Sequence, residues 1–142
     1  MTIARLIERR DPTVVTCEAG NSVRDAVAIL SEKRIGALPV LENGAVAGIF
    51  SERDVLRELH KHGPAMLDLR VADVMTSPPV TVEPGTAVLA ALSLMTRRRI
   101  RHLPVMDGGR MVGFISIGDL VKHRIDSIES EAEAMRSYIQ GA

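Results

Sequence analysis

Apolar residues in the first half of the chain switch between a helical and a strand-like spacing. Those at positions 23–30 recur every three or four residues, which predicts one face of a helix with its N-cap at Asn21 or Ser22. Positions 37–41 and 45–50 are short apolar, β-rich runs, and the residues Glu42-Asn43-Gly44 between them predict a hairpin. A second helical spacing begins after Ser51. The predicted order is therefore helix, strand, strand, helix.

Shorter elements precede and follow this pattern. Thr2–Arg9 carries apolar residues at helical spacing and predicts an amphipathic helix that Asp11-Pro12 ends. Thr13–Cys17 is brief and β-branched, which favours a strand. Gly63-Pro64 closes the last helix of the pattern, and Val71–Met75 predicts one further helical turn. A βαββα unit thus follows an N-terminal helix.

The whole pattern occurs twice. The segment GAVAGIFSERDVLR at positions 44–57 recurs as GRMVGFISIGDLVK at positions 109–122, 65 residues later, and the matches continue without a gap towards the N-terminus. A gapless repeat of this length indicates a duplicated supersecondary unit. Each copy is too short to cover its own apolar face, so we expect the copies to pack together as one module.

The second copy predicts the same elements, followed by a longer helix. They are a strand at Val80–Val82, a helix from Thr86 to about Arg98, and strands at His102–Met106 and Arg110–Ile115. From Ser116 an apolar stripe continues well past the repeat, as far as Ile139. A stripe of this kind packs either on the body of the protein or on a second subunit, and the sequence leaves both open.

These patterns predict a mixed α/β (α+β) fold, with two pseudo-symmetric βαββα repeats packed as one module between N- and C-terminal helices. The predicted segments are an N-terminal helix at 1–12, repeat 1 at 13–62, a connector at 63–78, repeat 2 at 79–125 and a C-terminal helical extension at 126–142.

Composition narrows the class of protein. With 142 residues, 46% of them hydrophobic, and a formal net charge of zero, the chain is an ordinary globular sequence and not a general binder of nucleic acid or anionic membranes. Cys17 is the single cysteine, so neither a disulfide nor a thiolate metal cluster is predicted. No apolar run approaches the roughly twenty residues that span a bilayer, and residues 1–10 are too charged for a secretory signal. We expect a cytoplasmic protein with no membrane partner.

The repeated Gly-x-x-Ser-x-x-Asp is the candidate functional motif. Ser51 with Asp54, and Ser116 with Asp119, have the spacing of a helix capping box, which stabilises a helix by about 0.5–2 kcal/mol at the serine. The glycine that opens each motif lies in a predicted strand, where glycine is unfavourable unless something approaches the backbone closely. The motif therefore also suits a cleft in which the carboxylate accepts both hydroxyls of a ribose diol.

Basic residues near the motif favour an anionic ligand. Those closest to it are Arg34, Arg53, Arg99, Arg101, His102 and Lys122. Arg101 and His102 stand where the first copy has Gly36 and Ala37, so the two clefts should differ, and the second should attract anions more strongly. Glu52 adds a negative charge to the first copy, which disfavours polyphosphate there.

Catalysis is not predicted. Each motif serine has a structural role, no histidine lies at an interpretable spacing to it, and no metal-ligand pattern or phosphate-binding glycine loop is present. Two other functions stay open: a nucleic-acid binder through Arg97–His102, and a ligand-free scaffold or dimerisation protein that acts through its helices. The first is disfavoured because two phenylalanines and one tyrosine provide no stacking platform.

Taken together, the motifs resemble a tandem pair of CBS domains. The order of elements, the paired Leu-Pro-Val strands and the two Gly-x-x-Ser-x-x-Asp motifs carry the resemblance over residues 10–125, and the phrases GIFSERDVLR and RIRHLPV resemble stand-alone two-repeat bacterial CBS proteins. The resemblance implies a pseudo-twofold module that binds adenosyl compounds such as AMP, ADP, ATP, NAD or S-adenosylmethionine in clefts between the repeats. It also implies a homodimer that regulates another protein.

The resemblance implies roles for individual residues. Asp54 and Asp119 would hold the ribose, and Ser51 and Ser116 would help to hold sugar or phosphate. An adenine slot in each copy would be lined by Thr16, Ile35, Ala37 and Pro39, and by Thr81, Ile100, His102 and Pro104. Together with Arg53 and Arg101, these are the predicted ligand-binding residues; no catalytic residue, metal ligand or obligatory cofactor is predicted.

The sequence therefore predicts a regulatory, ligand-sensing module that signals to a separate, unidentified protein. In the expected mechanism, a ligand that bridges the repeats favours one arrangement of them, and the partner distinguishes the arrangements.

Overall fold

The computed structural model describes residues 1–10 and 13–141. Its elements, in chain order, are α1 (Ile3–Glu8), β1 (Cys17–Glu18), α2 (Val23–Lys33), β2 (Ala37–Glu42), β3 (Ala45–Ser51), α3 (Glu52–His62), a 3-10 helix (Gly63–Asp68), α4 (Val71–Val74), α5 (Val88–Arg98), β4 (His102–Asp107), β5 (Arg110–Ser116) and α6 (Ile117–Gly141). The predicted class is confirmed, because two repeats of strands and helices are followed by one long C-terminal helix.

Each repeat is built around one antiparallel hairpin. Strand β2 pairs with β3, and β4 pairs with β5, with the register shifted by a bulge at the equivalent place in both hairpins. Asn43 and Gly44 have φ values of 53° and 80°, and Gly108 and Gly109 have values of 58° and 82°. Two successive positive φ angles give a tight turn whose twist matches that of the strands. Both predicted hairpins are confirmed.

The first strand of each repeat is shorter than the sequence pattern indicates. In the first repeat, β1 consists of two residues, Cys17 and Glu18, which pair in parallel with β2. In the second repeat, the corresponding contact is a single parallel bridge between Val82 and Val105. The prediction of a strand over Thr13–Cys17 was therefore wrong for most of its length, and Thr13, Val14 and Val15 line a cleft between the repeats.

Helices α2 and α5 end in the same way. Each is followed by an arginine in the left-handed conformation, Arg34 and Arg99, both with φ of 54°. The end of α2 near Arg34 was predicted from the Ile35-Gly36 pair that follows it. The N-terminus of α2 also agrees with the prediction, because the Ser22 hydroxyl accepts a hydrogen bond of 3.1 Å from the N–H of Asp25.

The described residues form two apolar cores, and each is completed by a segment that precedes the other repeat. The first core contains residues of α2, β2 and β3 together with Met66, Val71 and Val74 from the connector. The second contains residues of α5, β4, β5 and α6 together with Ile3 and Leu6 of α1. We call residues 1–10, which include α1, and the connector at residues 63–78 the exchanged segments. Because the second core is completed by Ile3 and Leu6, which lie far from it in the sequence, the two repeats pack together as one unit, as predicted.

Helix α1 is fixed to the second repeat by hydrogen bonds as well as by apolar contacts. The N–H groups of Ile3 and Ala4 donate to the carbonyls of Thr86 and Pro84, at 2.9 and 2.8 Å. The helix was predicted over Thr2–Arg9 and agrees within a residue or two with the structure. The role predicted for Asp11-Pro12 in ending it lies outside the described residues.

The glycines that open the two motifs make room for the exchanged segments. A Cβ at Gly48 would lie 2.7 Å from the carbonyl oxygen of Thr76, and a Cβ at Gly113 would lie 3.0 Å from Cγ2 of Ile7. Thr76 also pairs with Ile49 through two backbone hydrogen bonds of 2.8 and 3.0 Å. The close approach that the strand glycines indicated is thus made by the protein's own chain.

Helix α6 extends well beyond the second repeat, as predicted. Leu120 in its first turns is buried in the second core, whereas the apolar side chains further along are exposed. The largest of the exposed ones are Ile125, Ile128, Met135, Tyr138 and Ile139. The body of the protein therefore covers the beginning of the apolar stripe and leaves the rest of it to solvent or to another molecule.

Candidate functional site

Asp54 is the more deeply buried of the two motif aspartates, with 1% of its surface exposed. Its Oδ2 accepts hydrogen bonds from the N–H and the hydroxyl of Ser51, at 2.9 and 3.2 Å. Its Oδ1 accepts one from the Thr76 hydroxyl at 3.0 Å and lies 2.8 Å from the Arg57 guanidinium. A carboxylate has about four acceptor sites, so these contacts occupy Asp54 fully.

The contacts of Asp54 continue into a polar network along α3. Arg57 also donates to the carbonyl of Val74 at 3.0 Å and lies 3.5 Å from the carboxylate of Glu58. Glu58 is itself buried and lies 3.4 Å from Nε2 of His62. This network ties α3 to the connector. The predicted capping box at Ser51 and Asp54 is confirmed, and its aspartate serves the fold.

Asp119 has the same position in the second repeat but is more accessible, with 26% of its side chain exposed. Its Oδ2 accepts a hydrogen bond of 2.8 Å from the N–H of Ser116, whose hydroxyl accepts one of 3.1 Å from the N–H of Asp119. The second capping box is therefore also present. Oδ1 of Asp119 forms an ion pair with the guanidinium of Arg10, which comes from the exchanged segment at the N-terminus.

Two influences act in opposite directions on the charge of Asp119. Burial raises the pKa of the carboxyl group, but the hydrogen bonds from Ser116 and the Arg10 guanidinium outweigh burial and hold the pKa below its usual value. Asp119 is therefore ionised at neutral pH. An ionised carboxylate accepts hydrogen bonds without donating them, which suits the hydroxyl groups of a sugar.

Each motif aspartate lines a cavity between the repeats. The Asp119 cleft has a volume of about 460 Å³, and the Asp54 cleft has a volume of about 270 Å³. Small-molecule sites are typically clefts of roughly 300–1,000 Å³, so the Asp119 cleft alone of these two has the usual size.

The two clefts are lined by residues of both repeats. Predicted residues that line the Asp119 cleft are Ile35, Ala37, His102, Ser116 and Asp119, and those that line the Asp54 cleft are Ser51, Arg53, Asp54, Ile100, Arg101 and His102. The aspartate of one repeat thus faces the strand residues of the other. The four remaining predicted residues, Thr16, Pro39, Thr81 and Pro104, line neither cleft.

Sequence reasoning placed Arg101 in the wrong cleft. It was grouped with Asp119 because both belong to the second copy, and that cleft was expected to attract anions more strongly. The Arg101 carbonyl accepts a 2.8 Å hydrogen bond from the N–H of Ile117 in its own repeat, but its side chain lines the Asp54 cleft. Arg53 and Arg57 line the same cleft, so its guanidinium groups outnumber those of the Asp119 cleft, where Arg10 and Arg34 lie.

Several cleft residues were missed by sequence reasoning. In the Asp119 cleft they include Arg10 and the backbone stretch from Thr13 to Val15, and in the Asp54 cleft they include Arg57 and Thr76. Arg57 lies one helical turn after Asp54, a spacing that pairs opposite charges on a helix, so it carried a usable signal. Arg10 and Thr76 lie in the exchanged segments, whose docking positions no local pattern indicates.

His102 forms the wall that the two clefts share. Its ring stacks on Phe114, with the centroids 5.6 Å apart, and its Cε1 would lie 3.4 Å from a Cβ at Gly36. Burial lowers the pKa of His102, the nearby Arg101 lowers it further, and Asp119 and Glu52 oppose this effect. The ring is therefore neutral at neutral pH.

We expect His102 to make the protein less stable in mild acid. Because its pKa is lower in the folded protein, protons bind first to the unfolded chain, and stability is lost as the pH falls from about 7 towards the lowered pKa. Thermal unfolding of the wild type and His102→Gln at pH 7.5 and 5.5 measures this effect. The variant should lose less stability than the wild type between these values.

The control for this experiment is His60→Gln, which changes an exposed histidine on α3. It should lose as much stability as the wild type. Equal losses in all three proteins would contradict the assignment to His102.

The basic run Arg97–His102 is divided by the fold. Arg97 and Arg98 are exposed in the last turn of α5, whereas Arg101 and His102 line clefts. Arg99 lies between them and its carbonyl accepts a 2.6 Å hydrogen bond from Arg53 of the first repeat. Arg101 and His102 are therefore part of the cleft walls, whereas Arg97 and Arg98 are not.

Within residues 1–10 and 13–141, no group of three or more histidine, cysteine, aspartate or glutamate side chains is placed to hold a metal ion. In the same part of the chain, no helix combines the length and apolar character needed to cross a membrane. Cys17 is buried, which raises the pKa of its thiol to about 11, so it is protonated at neutral pH and has no reactive thiolate.

The fold and the clefts define a class: duplicated modules with clefts between the two halves. A family model for the CBS domain matches residues 7–61 and 71–126. The chain belongs to the CBS-domain family and contains two CBS domains in tandem. The resemblance seen in the sequence is thereby confirmed.

Relatives and solved structures share this organisation. The chain is 39% identical over 136 residues to "CBS domain-containing protein CBSX3, mitochondrial" of Arabidopsis thaliana, covering 92% of this chain and 66%, just under two thirds, of that protein. The structure of a protein with CBS domains from Burkholderia ambifaria is similar with a TM-score of 0.84 at 39% identity, over 89% of this chain and 95% of that one. The structure of CBSX2 in complex with AMP has a TM-score of 0.74 at 27% identity, over 88% and 96%.

Proposed function

We propose that this protein is a regulatory module that senses an adenosyl compound in the Asp119 cleft. The observation that carries the proposal is the geometry of this cleft: a partly exposed, ionised carboxylate opens into a cavity of about 460 Å³ between the two CBS domains. A ribose diol would donate to Asp119, and the base would lie towards the apolar residues Ile35 and Ala37 of the first repeat. The complex of CBSX2 with AMP supports this class of ligand.

The Asp54 cleft is not proposed as a second ribose site. Ser51, Thr76 and Arg57 already use the acceptor sites of Asp54, and a ribose would have to replace at least two of these contacts inside a buried network. One adenosyl ligand per chain is therefore the expected stoichiometry. In this proposal Asp119 and Ser116 bind the ligand, as predicted. Asp54 and Ser51 instead have a structural role at the start of α3.

The mechanism follows from the position of the cleft. A ligand held by Asp119 and by Ile35 contacts both repeats, so its binding energy depends on how the repeats are arranged. The same surface between repeats includes the hydrogen bond from Arg53 to the carbonyl of Arg99. A separate protein that binds the two arrangements with different affinity would then respond to the presence of the ligand, as the sequence predicts. No catalytic step is part of the proposal.

Self-association belongs to the same proposal. The exposed apolar side chains include Leu56 and Leu59 on α3, Leu89 on α5, and the outer part of the stripe on α6. Helical surfaces of this kind are typical of interfaces. They support the predicted homodimer of this module, whose ligand is one of AMP, ADP, ATP, NAD and S-adenosylmethionine.

The proposal is tested by calorimetric titration and thermal unfolding with AMP. A ligand at about a hundred times its dissociation constant adds about 2.7 kcal/mol to stability, which raises the unfolding midpoint of a domain of this size by several degrees. We expect AMP to stabilise the wild type and to bind Asp119→Asn at least about tenfold more weakly, because an amide does not replace the charged acceptor.

Two variants serve as controls for the titration. Asp54→Asn changes the equivalent carboxylate, and Asp126→Asn removes an exposed charge from α6. Both should bind AMP as the wild type does, provided that the titration is done below the unfolding midpoint of each variant. Loss of AMP binding in Asp54→Asn with retention in Asp119→Asn would move the ribose site to the other cleft, and no binding to the wild type would refute AMP as the ligand.

A further inference from the structure

We propose that Arg10 determines the specificity of the Asp119 cleft by occupying the ribose-binding carboxylate, so that ligands with an anionic 5′ group are preferred over neutral or cationic adenosyl compounds. This inference rests on the proposed function of the cleft. It goes further because it assigns the choice between ligand classes to a residue outside the repeated motif.

The position of Arg10 carries the first step. One terminal nitrogen of its guanidinium pairs with Oδ1 of Asp119, and the other donates to the carbonyl of Phe114 at 3.4 Å. The side chain thus lies across the end of β5 and the start of α6, at the place where the ribose diol is proposed to bind. With 38% of the Arg10 side chain exposed, it can leave this position without disturbing a packed core.

The attachment of Arg10 carries the second step. The preceding helix α1 is fixed to the second repeat, with Ile3 and Leu6 buried and Ile7 against Gly113. The backbone at Arg10 therefore stays beside the cleft when its side chain moves. A flexible side chain on an anchored backbone can exchange one partner for another within the same cleft.

Charge complementarity carries the third step. A ribose that donates both hydroxyls to Asp119 competes with the Arg10 guanidinium, which then loses its anionic partner. A phosphate on the same ribose offers a new one, and the planar guanidinium matches its oxygens in a bidentate way. Adenosine provides no replacement, and the sulfonium of S-adenosylmethionine would add a second positive charge near Arg10.

The repeat shows that this arrangement is particular to one cleft. The residue equivalent to Arg10 in the connector, 65 positions later, is Met75, and the Asp54 carboxylate is instead paired by Thr76 and Arg57. Met75 lies against Gly48, and its uncharged side chain cannot form an ion pair with an anionic ligand. The two clefts therefore differ in the partner that a ligand would have to displace.

The experiment is a calorimetric titration of AMP and adenosine into the wild type, Arg10→Gln and Arg9→Gln. We expect the wild type to bind AMP at least about tenfold more tightly than adenosine, the scale of one charge-assisted contact. In Arg10→Gln this ratio should fall to about threefold or less, because AMP loses its new partner and adenosine no longer has a competitor for Asp119. Adenosine itself should bind the variant more tightly than the wild type.

Arg9→Gln is the matched control, since Arg9 is adjacent, exposed and equally charged. It should keep the wild-type ratio, which separates the ion pair from the loss of one positive charge. Thermal unfolding of all three proteins checks that they are folded at the titration temperature. An Arg10→Lys variant, which keeps the charge without the planar fork, should have an intermediate ratio.

The possible failures are distinguishable. If AMP binds through Asp119 but the ratio of AMP to adenosine affinity is the same in Arg10→Gln and the wild type, the role of Arg10 is refuted and the proposed function stands. If neither AMP nor adenosine binds to the wild type or to Arg10→Gln, both proposals are refuted. A ratio that falls equally in Arg9→Gln refutes the specific contact in favour of a general charge effect.

Discussion

Replacement of Asp54 by alanine is expected to lower the free energy of unfolding by about 2–4 kcal/mol, the scale of a broken buried polar network. The variant loses the acceptor of the Ser51 N–H, the Thr76 hydroxyl and the Arg57 guanidinium at once. The carboxylate also caps α3, so the helix loses a contact with its first turn. Urea unfolding at pH 7, analysed by linear extrapolation, measures the loss.

Asp119→Ala and Asp126→Ala are the comparisons for this variant. Asp119 also caps a helix but is partly exposed and pairs with an exposed arginine, so we expect a smaller loss of about 1 kcal/mol. Asp126 is exposed, and its replacement should change stability by less than about 0.5 kcal/mol. Equal losses at Asp54 and Asp119 would show that the two motif aspartates do not divide structural and ligand-binding roles in the way we propose.

The second large effect is expected at Ile3, whose replacement by alanine should cost about 2–4 kcal/mol of stability. Ile3 is fully buried in the second core, together with residues of α5, β4 and α6. The substitution leaves a cavity at the contact between the N-terminal exchanged segment and a repeat that begins some eighty residues later. Chemical denaturation measures the total loss.

Hydrogen exchange locates this loss within the protein. Amides of α5 and β4 should lose protection in Ile3→Ala, because these elements share a core with α1. Leu56→Ala is the control, since Leu56 is 68% exposed on α3 and should change stability by less than about 0.5 kcal/mol. Loss of protection confined to the first repeat would contradict the exchange of segments.

Much of the fold follows from local sequence. The hairpins were predictable because Asn43-Gly44 and Gly108-Gly109 supply the positive φ angles that two-residue turns need. The capping boxes were predictable from the spacing of serine and aspartate, which satisfies two backbone donors at the start of each helix. In each case a few neighbouring residues determine the conformation.

The exchange of segments was not predictable in this way. The apolar face of α1 indicates that the helix packs on something, but it does not indicate which core. Gly48 and Gly113 carried a partial signal, since a glycine in a strand indicates a close approach. The approaching groups, Thr76 and Ile7, come from segments that precede the other repeat, and their identity depends on the whole chain.

The candidate site, too, was only partly predictable from local sequence. Asp119, Ser116, Ile35 and Ala37 were named from the sequence, and the structure brings all four to one cleft. Their grouping across the two repeats, and the opposite placement of Arg101, depend on how the hairpins face each other. Local periodicity contains no information about that arrangement. The sequence therefore indicated the identity of the cleft residues better than it indicated which of them share a cleft.

The exchange of segments also has a consequence for how the chain is made on the ribosome. The apolar side chains of α1 are synthesised well before α5, β4 and α6, against which they pack. The first core can close once Val74 has emerged, whereas Ile3 and Leu6 must wait for Leu120. Until these later elements have emerged, the apolar face of α1 has no partner in the second core and is exposed in the nascent chain.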